Sequence, residues 1–451
     1  MKNVKLYGYF PLLSLFLLLG LADAAAQEKQ WTLEECIDYA IEHNIEIKSY
    51  ELDTQLKEHT LNTSKWSRLP DLNANLGQNF DFGRSPSADN TSIESTSATN
   101  SSFNIGTSVP LFTGFRIPNE VAAGKLDLRA AFESLNKAKE SLSLQVASNY
   151  LNVLFYKELE WVRGVQSDLS AEQVTKTEML VQAGKVPEGQ LFDIKAVLAN
   201  DYTALVEAQN QTKLMLLALA QNLEMGEQIE LFEIAEPVLS DPSQTLLGSL
   251  QTPAEIYLLA VTTRPMIKEQ ELLLESSKKR LEIAKSDYYP KLNFSAYYSN
   301  GYYYFFDQAN PSFTDQIDKN QRTNLGLSLS IPIFNRFRVR NQVRSSRINI
   351  FNRELNLDNS KKALFEEIQK AYYNAIAAQR KYVASKESVG AAAKSFEYAQ
   401  ERYNVGKASV FELNEAKTKM SQSLAEQVQS KYEFIFRVKI LDFYRGEKIT
   451  L

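Results

Sequence analysis

Few residues in this chain could support catalysis or bind a metal. Its only cysteine is Cys36, and its only histidines are His43 and His59. Many metal centres and all histidine-based catalytic sites use these residue types, so the chain has very few residues that could form either kind of site. Glu412 and Glu415 form the one carboxylate pair that stands out, because a spacing of three residues places both on one helix face. Since no nucleophile or metal cluster stands beside this pair, we expect no enzyme activity, no metal site and no cofactor.

The first 26 residues predict a cleaved secretory signal peptide. Lys2 and Lys5 precede an apolar stretch from Phe10 to Leu21, and small residues end the segment. The stretch is shorter than the roughly 20 residues that span a bilayer, and no cysteine follows it to accept a lipid. We therefore expect an exported chain without a lipid anchor. A net charge of −5 gives no reason to expect a nucleic-acid partner.

One long pattern occurs twice in the sequence. The residues Val109–Phe112 return as Ile331–Phe334, a shift of 222 positions. At the same shift Phe115-Arg116 returns as Phe337-Arg338 and Gly184-Lys185 as Gly406-Lys407, whereas upstream the shift is 220, from Leu69-Pro70 to Tyr289-Pro290. Register held over so long a span indicates a duplicated structural unit, with a loop of variable length between the two shifts.

The duplication predicts the domain boundaries. After the signal peptide (1–26) comes a first repeat (27–225) with a helix over 31–66, a strand hairpin over 71–112 and a long helical hairpin. A linker (226–252) without clear periodicity leads to the second repeat (253–446), with a helix over 254–286, a strand hairpin over 291–334 and a second helical hairpin. A short tail (447–451) ends the chain.

Each strand hairpin alternates between apolar and polar side chains. In the first return strand, Phe103, Ile105 and Val109 alternate with asparagine, glycine and serine; in the second, Leu325, Leu327 and Leu329 do the same. Runs of about 10 residues with one apolar and one polar face are typical of tilted membrane strands. A soluble sandwich with an aromatic core is the alternative, but it leaves the polar faces unexplained.

The helix after each return strand is predicted to be a long coiled coil. In the second repeat one apolar column recurs every seven residues, with Ser385 as its polar member: Val343, Ile350, Leu357, Leu364, Ala371, Ala378, Ala392 and Ala399. The predicted helices, from about 336 to 402 and roughly 120 to 182, reach roughly 100 Å at 1.5 Å per residue. Each ends at a glycine turn, after which a second helix returns.

Four amphipathic strands cannot close a membrane barrel alone, since the smallest known barrels have about 8 strands. Open strand edges are not tolerated in lipid, so the chain is expected to oligomerise around a polar lumen. The alternative from another functional class is a periplasmic coiled-coil adaptor or tether. That alternative predicts no membrane strands and usually a lipid-accepting cysteine or an inner-membrane anchor.

At this point the sequence resembles the outer-membrane efflux protein family typified by TolC. The similarity rests on the opening segment from Trp31 to Asn44, the two Pro-containing strand ends, the two glycine turns and the segment from Gly406 to Ala416. The resemblance implies a mixed, internally duplicated membrane protein: a homotrimeric 12-stranded outer-membrane β-barrel, four strands per chain, continued by an α-helical coiled-coil periplasmic barrel. It further implies the exit channel of a tripartite efflux or secretion system, which passively conducts substrates from an inner-membrane transporter and a periplasmic adaptor protein across the periplasm and the outer membrane.

The resemblance also implies roles for particular residues. The adaptor is expected to dock at the tips of the helical hairpins, namely Gly184, Lys185, Val186 and Pro187 in one repeat and Gly406, Lys407, Ala408 and Ser409 in the other. A gate that narrows the lumen is expected at Glu412 and Glu415, with Gln190 and Asp193 at the matching positions of the first repeat. The alternatives are turns that only reverse the chain and a solvated acidic face.

Four arginines form a basic stripe at the predicted start of the second long helix. They are Arg336, Arg340, Arg344 and Arg347, at a spacing that keeps them on one helix face. Cations at a helix start oppose the helix dipole and need partners. Outer-membrane lipid head groups or acids of a neighbouring chain are the expected partners, and a substrate-facing role in the lumen is the alternative.

Overall fold

The computed structural model describes residues 30–86, 91, 93–95, 97–226, 232–237, 251–306 and 309–451. The expected signal peptide and much of the expected linker lie outside these residues. The chain divides into two compact units. The strand unit comprises the described residues of Ser49–Lys137 and Thr262–Ala363, and the helical unit comprises those of Met1–Lys48, Ala138–Val261 and Leu364–Leu451.

Long helices make up most of the described chain. The helices are α1 (Leu33–His43), α2 (Ile45–Trp66), α3 (Arg116–Gln182), α4 (Glu188–Asn222), α5 (Pro253–Thr263), α6 (Pro265–Ser286), α7 (Phe313–Lys319), α8 (Arg338–Asn404) and α9 (Val410–Arg445). The strands are β1 (Gln30–Trp31), β2 (Asn73–Asp81), β3 (Arg84–Pro86), β4 (Ile93–Ser95), β5 (Ala98–Phe112), β6 (Glu233–Ile234), β7 (Lys291–Phe305) and β8 (Arg322–Ser330). Within the described helices, no segment is both long and apolar enough to cross a membrane.

The strand unit contains one antiparallel sheet in the order β2-β5-β7-β8. The four predicted strands are therefore present, and the two hairpins join through β5 and β7, where Asn104 lies opposite Ser299. The predicted alternation is kept where β7 pairs with β8, because the apolar partners Phe294 and Leu327 share one face while Asn293 and Ser328 share the other. Each outer strand, β2 or β8, has one edge without a strand partner among the described residues.

The second return strand is shorter than the sequence predicts. Strand β8 ends at Ser330, so Ile331–Phe334 is not a strand, whereas the repeat-equivalent segment Val109–Phe112 lies within β5. The two strands differ in length because they differ in how far a neighbouring strand extends beside them. Strand β5 is flanked by β7, which pairs with it up to Phe112, but β7 begins at Lys291 opposite Ser330 and offers nothing beyond that point.

The expected helices over 31–66 and 254–286 are each broken into two, so those two predictions are wrong in detail. Helix α1 ends at Asn44, whose extended backbone lets its side-chain Oδ1 accept the N–H of Glu46 at 2.9 Å and start α2. Arg264 separates α5 from α6 because Pro265 drives the preceding residue out of the helical region. The capping box of Thr32 and Glu35 is present as predicted.

The heptad column of the second long helix is confirmed. Six of its apolar members, Val343, Leu357, Leu364, Ala371, Ala378 and Ala392, are buried, as is the polar member Ser385, whereas Ile350 and Ala399 are half-buried. Ser385 Oγ forms a hydrogen bond with Ser430 Oγ at 2.7 Å, which satisfies both hydroxyls in the helical unit. Helices α3 and α8 each contain 67 residues, consistent with the predicted length.

A short parallel pair, β1 with β6, gives the helical unit a feature that the sequence did not suggest. The buried Tyr150 of α3 donates its hydroxyl to Ala235 O at 2.6 Å, and Trp31 O lies 3.2 Å away. Burial raises the pKa of Tyr150 well above its usual range, so the phenol stays protonated as a donor. Tyr150 thereby connects the long helix to both short strands.

Candidate gate and docking tips

The two hairpin tips are closed by the same glycine turn. Gly184 and Gly406 have φ angles of +68° and +73°, in the left-handed region that favours glycine. The N–H of Lys185 bonds to Leu180 O at 2.9 Å, and that of Lys407 bonds to Arg402 O at 2.7 Å. These bonds satisfy carbonyls at the ends of α3 and α8. Both glycines have open space around them, so backbone conformation rather than crowding demands glycine.

The tips differ in how the returning helix begins. Ser409 Oγ accepts the N–H of Glu412 at 3.2 Å, a side-chain N-cap for α9. Pro187 occupies the matching position before α4 and makes no side-chain cap bond. The sequence difference between Pro187 and Ser409 therefore has a structural consequence: a side-chain hydrogen bond caps the first turn of α9, whereas the first turn of α4 has no side-chain cap.

Glu412 is held by an arginine that sequence reasoning did not single out. Arg402 Nη2 lies 3.2 Å from Glu412 Oε2 and donates to Lys407 O, also at 3.2 Å. Both side chains of the ion pair are about half exposed, so it orients Glu412 more than it stabilises the fold. The position matching Arg402 in the first repeat is Leu180. The sequence did contain a signal for this residue, because only the second repeat has a charged side chain at this position in the last turn of its long helix.

The other expected gate residues lie on the first two turns of the returning helices. Glu415 and Asp193 are exposed, and Gln190 is half-buried. In the part of the chain that the structure describes, neither carboxylate forms a salt bridge, and no group of three or more potential metal ligands is found. Within one chain the arrangement is thus a row of exposed carboxylates beside a tight turn, which can attract cations.

A buried ionic cluster lies behind this row in the helical unit, and sequence reasoning missed it. Lys417 is only 1% exposed, and its Nζ lies 2.8 Å from Asp201 Oδ2. Ser170 Oγ contacts both Lys417 and Asp201, so the cluster joins α3, α4 and α9. The signal was present, because Lys417 stands in a buried column of α9 between Leu413 and Ser421. A lysine in such a column requires a buried partner.

The basic stripe is only partly helical. Helix α8 begins at Arg338, so Arg336 precedes it, and the prediction that all four arginines lie on one helix face is wrong for Arg336. Its φ is +52°, where the repeat-equivalent residue is Gly114 at +64°. Arg340, Arg344 and Arg347 are exposed on α8 as expected. The Arg340 guanidinium lies over the Phe337 ring at 4.1 Å.

Several characterised proteins are similar to this chain in sequence. The pyoverdine export outer membrane protein OpmQ of Pseudomonas aeruginosa is 24% identical over 356 residues, which cover 75% of this chain and 69% of OpmQ. The outer membrane protein TolC of Escherichia coli is 22% identical over 307 residues, which cover 66% of this chain and 59% of TolC.

Solved structures have the same fold at lower identity. The Campylobacter jejuni CmeC outer membrane channel aligns with a TM-score of 0.77 and 16% identity, covering 99% of this chain and 94% of CmeC. The outer membrane protein VceC of Vibrio cholerae aligns with a TM-score of 0.74 and 17% identity, covering 92% of this chain and 96% of VceC.

A sequence model for outer membrane efflux proteins matches residues 36–223 and 257–439, one segment in each repeat. The protein is accordingly an exit channel of a tripartite efflux system, located in the outer membrane and extending into the periplasm. These predictions are confirmed, as is the fold class, because a trimeric barrel is characteristic of the matched proteins. With most of its length inside the match, the chain belongs to the outer membrane efflux protein family.

Proposed function

We propose that three copies of this chain close one conduit, with four strands from each copy in a twelve-stranded barrel. The open edges of β2 and β8 carry this proposal. Each lacks a strand partner on one side among the described residues, and four strands are fewer than the roughly 8 of the smallest membrane barrels. Unpaired backbone groups in hydrocarbon cost several kcal/mol each. Pairing β8 with β2 of the next copy satisfies every edge.

The hairpin tips are the proposed contact with a periplasmic adaptor, which connects the channel to an inner-membrane transporter. The two tips present the same turn and one exposed lysine each, Lys185 and Lys407. The capped start of α9 makes the second tip the more rigid surface, whereas α4 begins at Pro187 without a side-chain cap. We therefore propose that the rigid second tip binds the adaptor in one fixed orientation. The first tip, whose helix start is not capped, can adjust its conformation to the adaptor.

Glu412 and Glu415 are the proposed gate, with Asp193 and Gln190 on the matching helix of the first repeat. Three copies would present these carboxylates as rings, and rings of carboxylates favour cations over anions. Arg402 holds Glu412 back toward the turn at 3.2 Å. An adaptor that docks at Lys407 would contact the residue whose carbonyl Arg402 also binds, which couples docking to the position of Glu412.

The experiment that tests the channel proposal is extraction of the full chain from outer membranes in mild detergent. We expect a trimer on a gel without heating, a monomer after heating, and cation-selective conductance in a planar bilayer. Thiol crosslinking from Lys185→Cys or Lys407→Cys should capture the adaptor, while Lys278→Cys on α6 serves as the control site. A soluble periplasmic monomer would instead support the adaptor or tether alternative.

A further inference from the structure

Strand β7 has, at its loop end, an edge that no other strand covers among the described residues. Ser299 is the last residue of β7 that pairs with β8, yet β7 continues to Phe305. Free N–H and C=O groups on such an edge invite pairing with another chain. Here a side chain binds them instead, because Asn310 Oδ1 accepts the N–H of Phe305 at 2.8 Å and Asn310 Nδ2 donates to Phe305 O at 2.7 Å.

Helix α7 covers the rest of this edge. Gln316 Oε1 accepts the N–H of Tyr303 at 2.9 Å, and Gln316 Nε2 donates to Tyr303 O at 2.8 Å. Asn320, the C-cap of α7, donates to Gly301 O at 2.7 Å. Gln316 is buried. These bonds satisfy the edge and fix α7 beside β7.

The helix lies on the apolar face of the sheet. That face includes the even-numbered side chains of β7, such as Phe294. Two further side chains of this series contact α7: Asn300 Nδ2 donates to Ile317 O at 2.8 Å, and the ring of Tyr302 lies 5.3 Å from that of Phe313 between centroids. In a membrane barrel the apolar face contacts lipid and the polar face lines the lumen. Helix α7 is therefore on the lipid side of the barrel wall.

A groove of about 380 Å³ lies between α7 and this face of the sheet. Its volume is within the range of roughly 300–1,000 Å³ that is usual for sites of small ligands. At its loop end Ser101 donates a hydrogen bond to Gln78. The large apolar side chains that line it are at least one-third exposed: Leu76, Phe103, Phe313 and Ile317.

We propose that this groove binds an acyl chain of an outer-leaflet lipid, with α7 at the boundary between the acyl chains and the head groups. The proposal rests on the barrel proposed above, because only a closed barrel presents this face to lipid. Phe313 and Ile317 are 61% and 37% exposed in the single chain. An acyl chain removes them from water, which is favourable in proportion to the apolar area that is covered.

The surroundings of the groove favour lipid over a second protein chain as the occupant. The groove is continuous with the apolar face of the sheet, where Ala74, Ile105 and Tyr298 form the neighbouring row. Polar side chains appear only toward the loop end, as expected where acyl chains give way to head groups. A protein strand would need the edge of β7, and the amides of Asn310 and Gln316 already bind that edge.

Spin labels on the full chain in phosphatidylcholine vesicles test the proposal. In a Cys36→Ala background, a nitroxide on Ile317→Cys should collide often with oxygen, which dissolves in lipid, and rarely with a water-soluble nickel chelate. A label on Asp318→Cys, an exposed position on another side of α7, should show the reverse. Equal nickel access at the two positions would place α7 in water and overturn the proposal. Protection of Ile317→Cys from both reagents would also overturn it, since that result indicates a protein occupant.

A label on Leu327→Cys tests the barrel separately, because Leu327 lies on the apolar face of β8 and is 70% exposed in the single chain. Lipid access at Leu327→Cys together with water access at Ile317→Cys would remove the groove and leave the barrel intact. Water access at both positions would remove both.

Photolabelling of the unchanged protein keeps the proposal testable if a spin label disturbs the groove. A phosphatidylcholine with a diazirine on its acyl chain, present in the same vesicles, should modify residues 313–317 as well as the apolar faces of the strands. Mass spectrometry of the digested protein identifies the modified residues. Modification of Leu327 without any modification of α7 would contradict the proposal.

Discussion

Lys417 is an ammonium group that the helical unit buries almost completely, beside Asp201 at 2.8 Å. Removing one partner of a buried ion pair leaves an uncompensated charge and costs about 3–5 kcal/mol. We therefore expect Asp201→Asn to lower the unfolding temperature strongly, measured by circular dichroism on the detergent-solubilised protein. The repeat supplies a matched control, because Lys195 occupies the position of Lys417 but pairs with Glu178 at the surface. Glu178→Gln should cost at most about 1 kcal/mol, and equal losses in both variants would contradict this account.

Asp287 makes stability depend on pH. Burial acts to raise the pKa of this carboxyl, but hydrogen bonds from Lys291 and Arg116 outweigh it and hold the pKa below the ordinary value of about 3.9. A lowered folded-state pKa means that the stabilisation is present above about pH 4 and is lost as the pH falls through the folded-state pKa. The wild type should therefore unfold at a higher temperature than Asp287→Asn at pH 7, measured by circular dichroism on the detergent-solubilised protein. That difference should shrink at pH 3, and a constant difference would exclude the linkage.

At the scale of elements, the start of α9 is the feature that distinguishes the two hairpin tips. Ser409→Ala removes the bond to the Glu412 N–H, and loss of such a cap costs about 1 kcal/mol. We expect faster hydrogen exchange at the first-turn amides of α9, with no change at the matching amides of α4. Ser409→Asp should restore protection, since aspartate also caps well. Unchanged exchange after Ser409→Ala would show that the cap does not hold this turn.

Element lengths were predictable where the determining signal is local. The heptad column and the glycines at 184 and 406 placed both long helices and both turns within a few residues. The breaks at Asn44 and Arg264 were missed, although Pro265 carried a local signal for the second. Helix α7 within the second loop was also missed. The side chain of Gln316 in α7 accepts the backbone N–H of Tyr303 and donates to the backbone carbonyl of Tyr303. These bonds help to hold the helix in place, and the sequence around Gln316 does not reveal them.

At the scale of the whole molecule, the basic stripe should matter for assembly or insertion. We expect neutralising all four arginines to weaken trimer formation or membrane insertion, because their exposed charges need lipid phosphates or acids of another copy. Arg336 should be changed to asparagine, which tolerates its left-handed backbone, and Arg340, Arg344 and Arg347 to glutamine. Trimer yield on unheated gels is the measurement, with Lys394→Gln as a surface control. Intact trimers that no longer pass anionic substrates would support the lumen role instead.

The sequence by itself determined the duplication, the four strands of the large sheet, the long helices and the family, since these depend on periodicity and spacing that can be read along the chain. Only the tertiary structure decided which charges meet, as with Lys417 and Asp201, because those residues lie 216 positions apart. It also decided which faces stay uncovered. Leu56 and Ser276 are equivalent in the repeat, yet one is exposed and the other buried. Burial depends on which helix arrives from elsewhere in the fold, and residue order along the chain does not specify that.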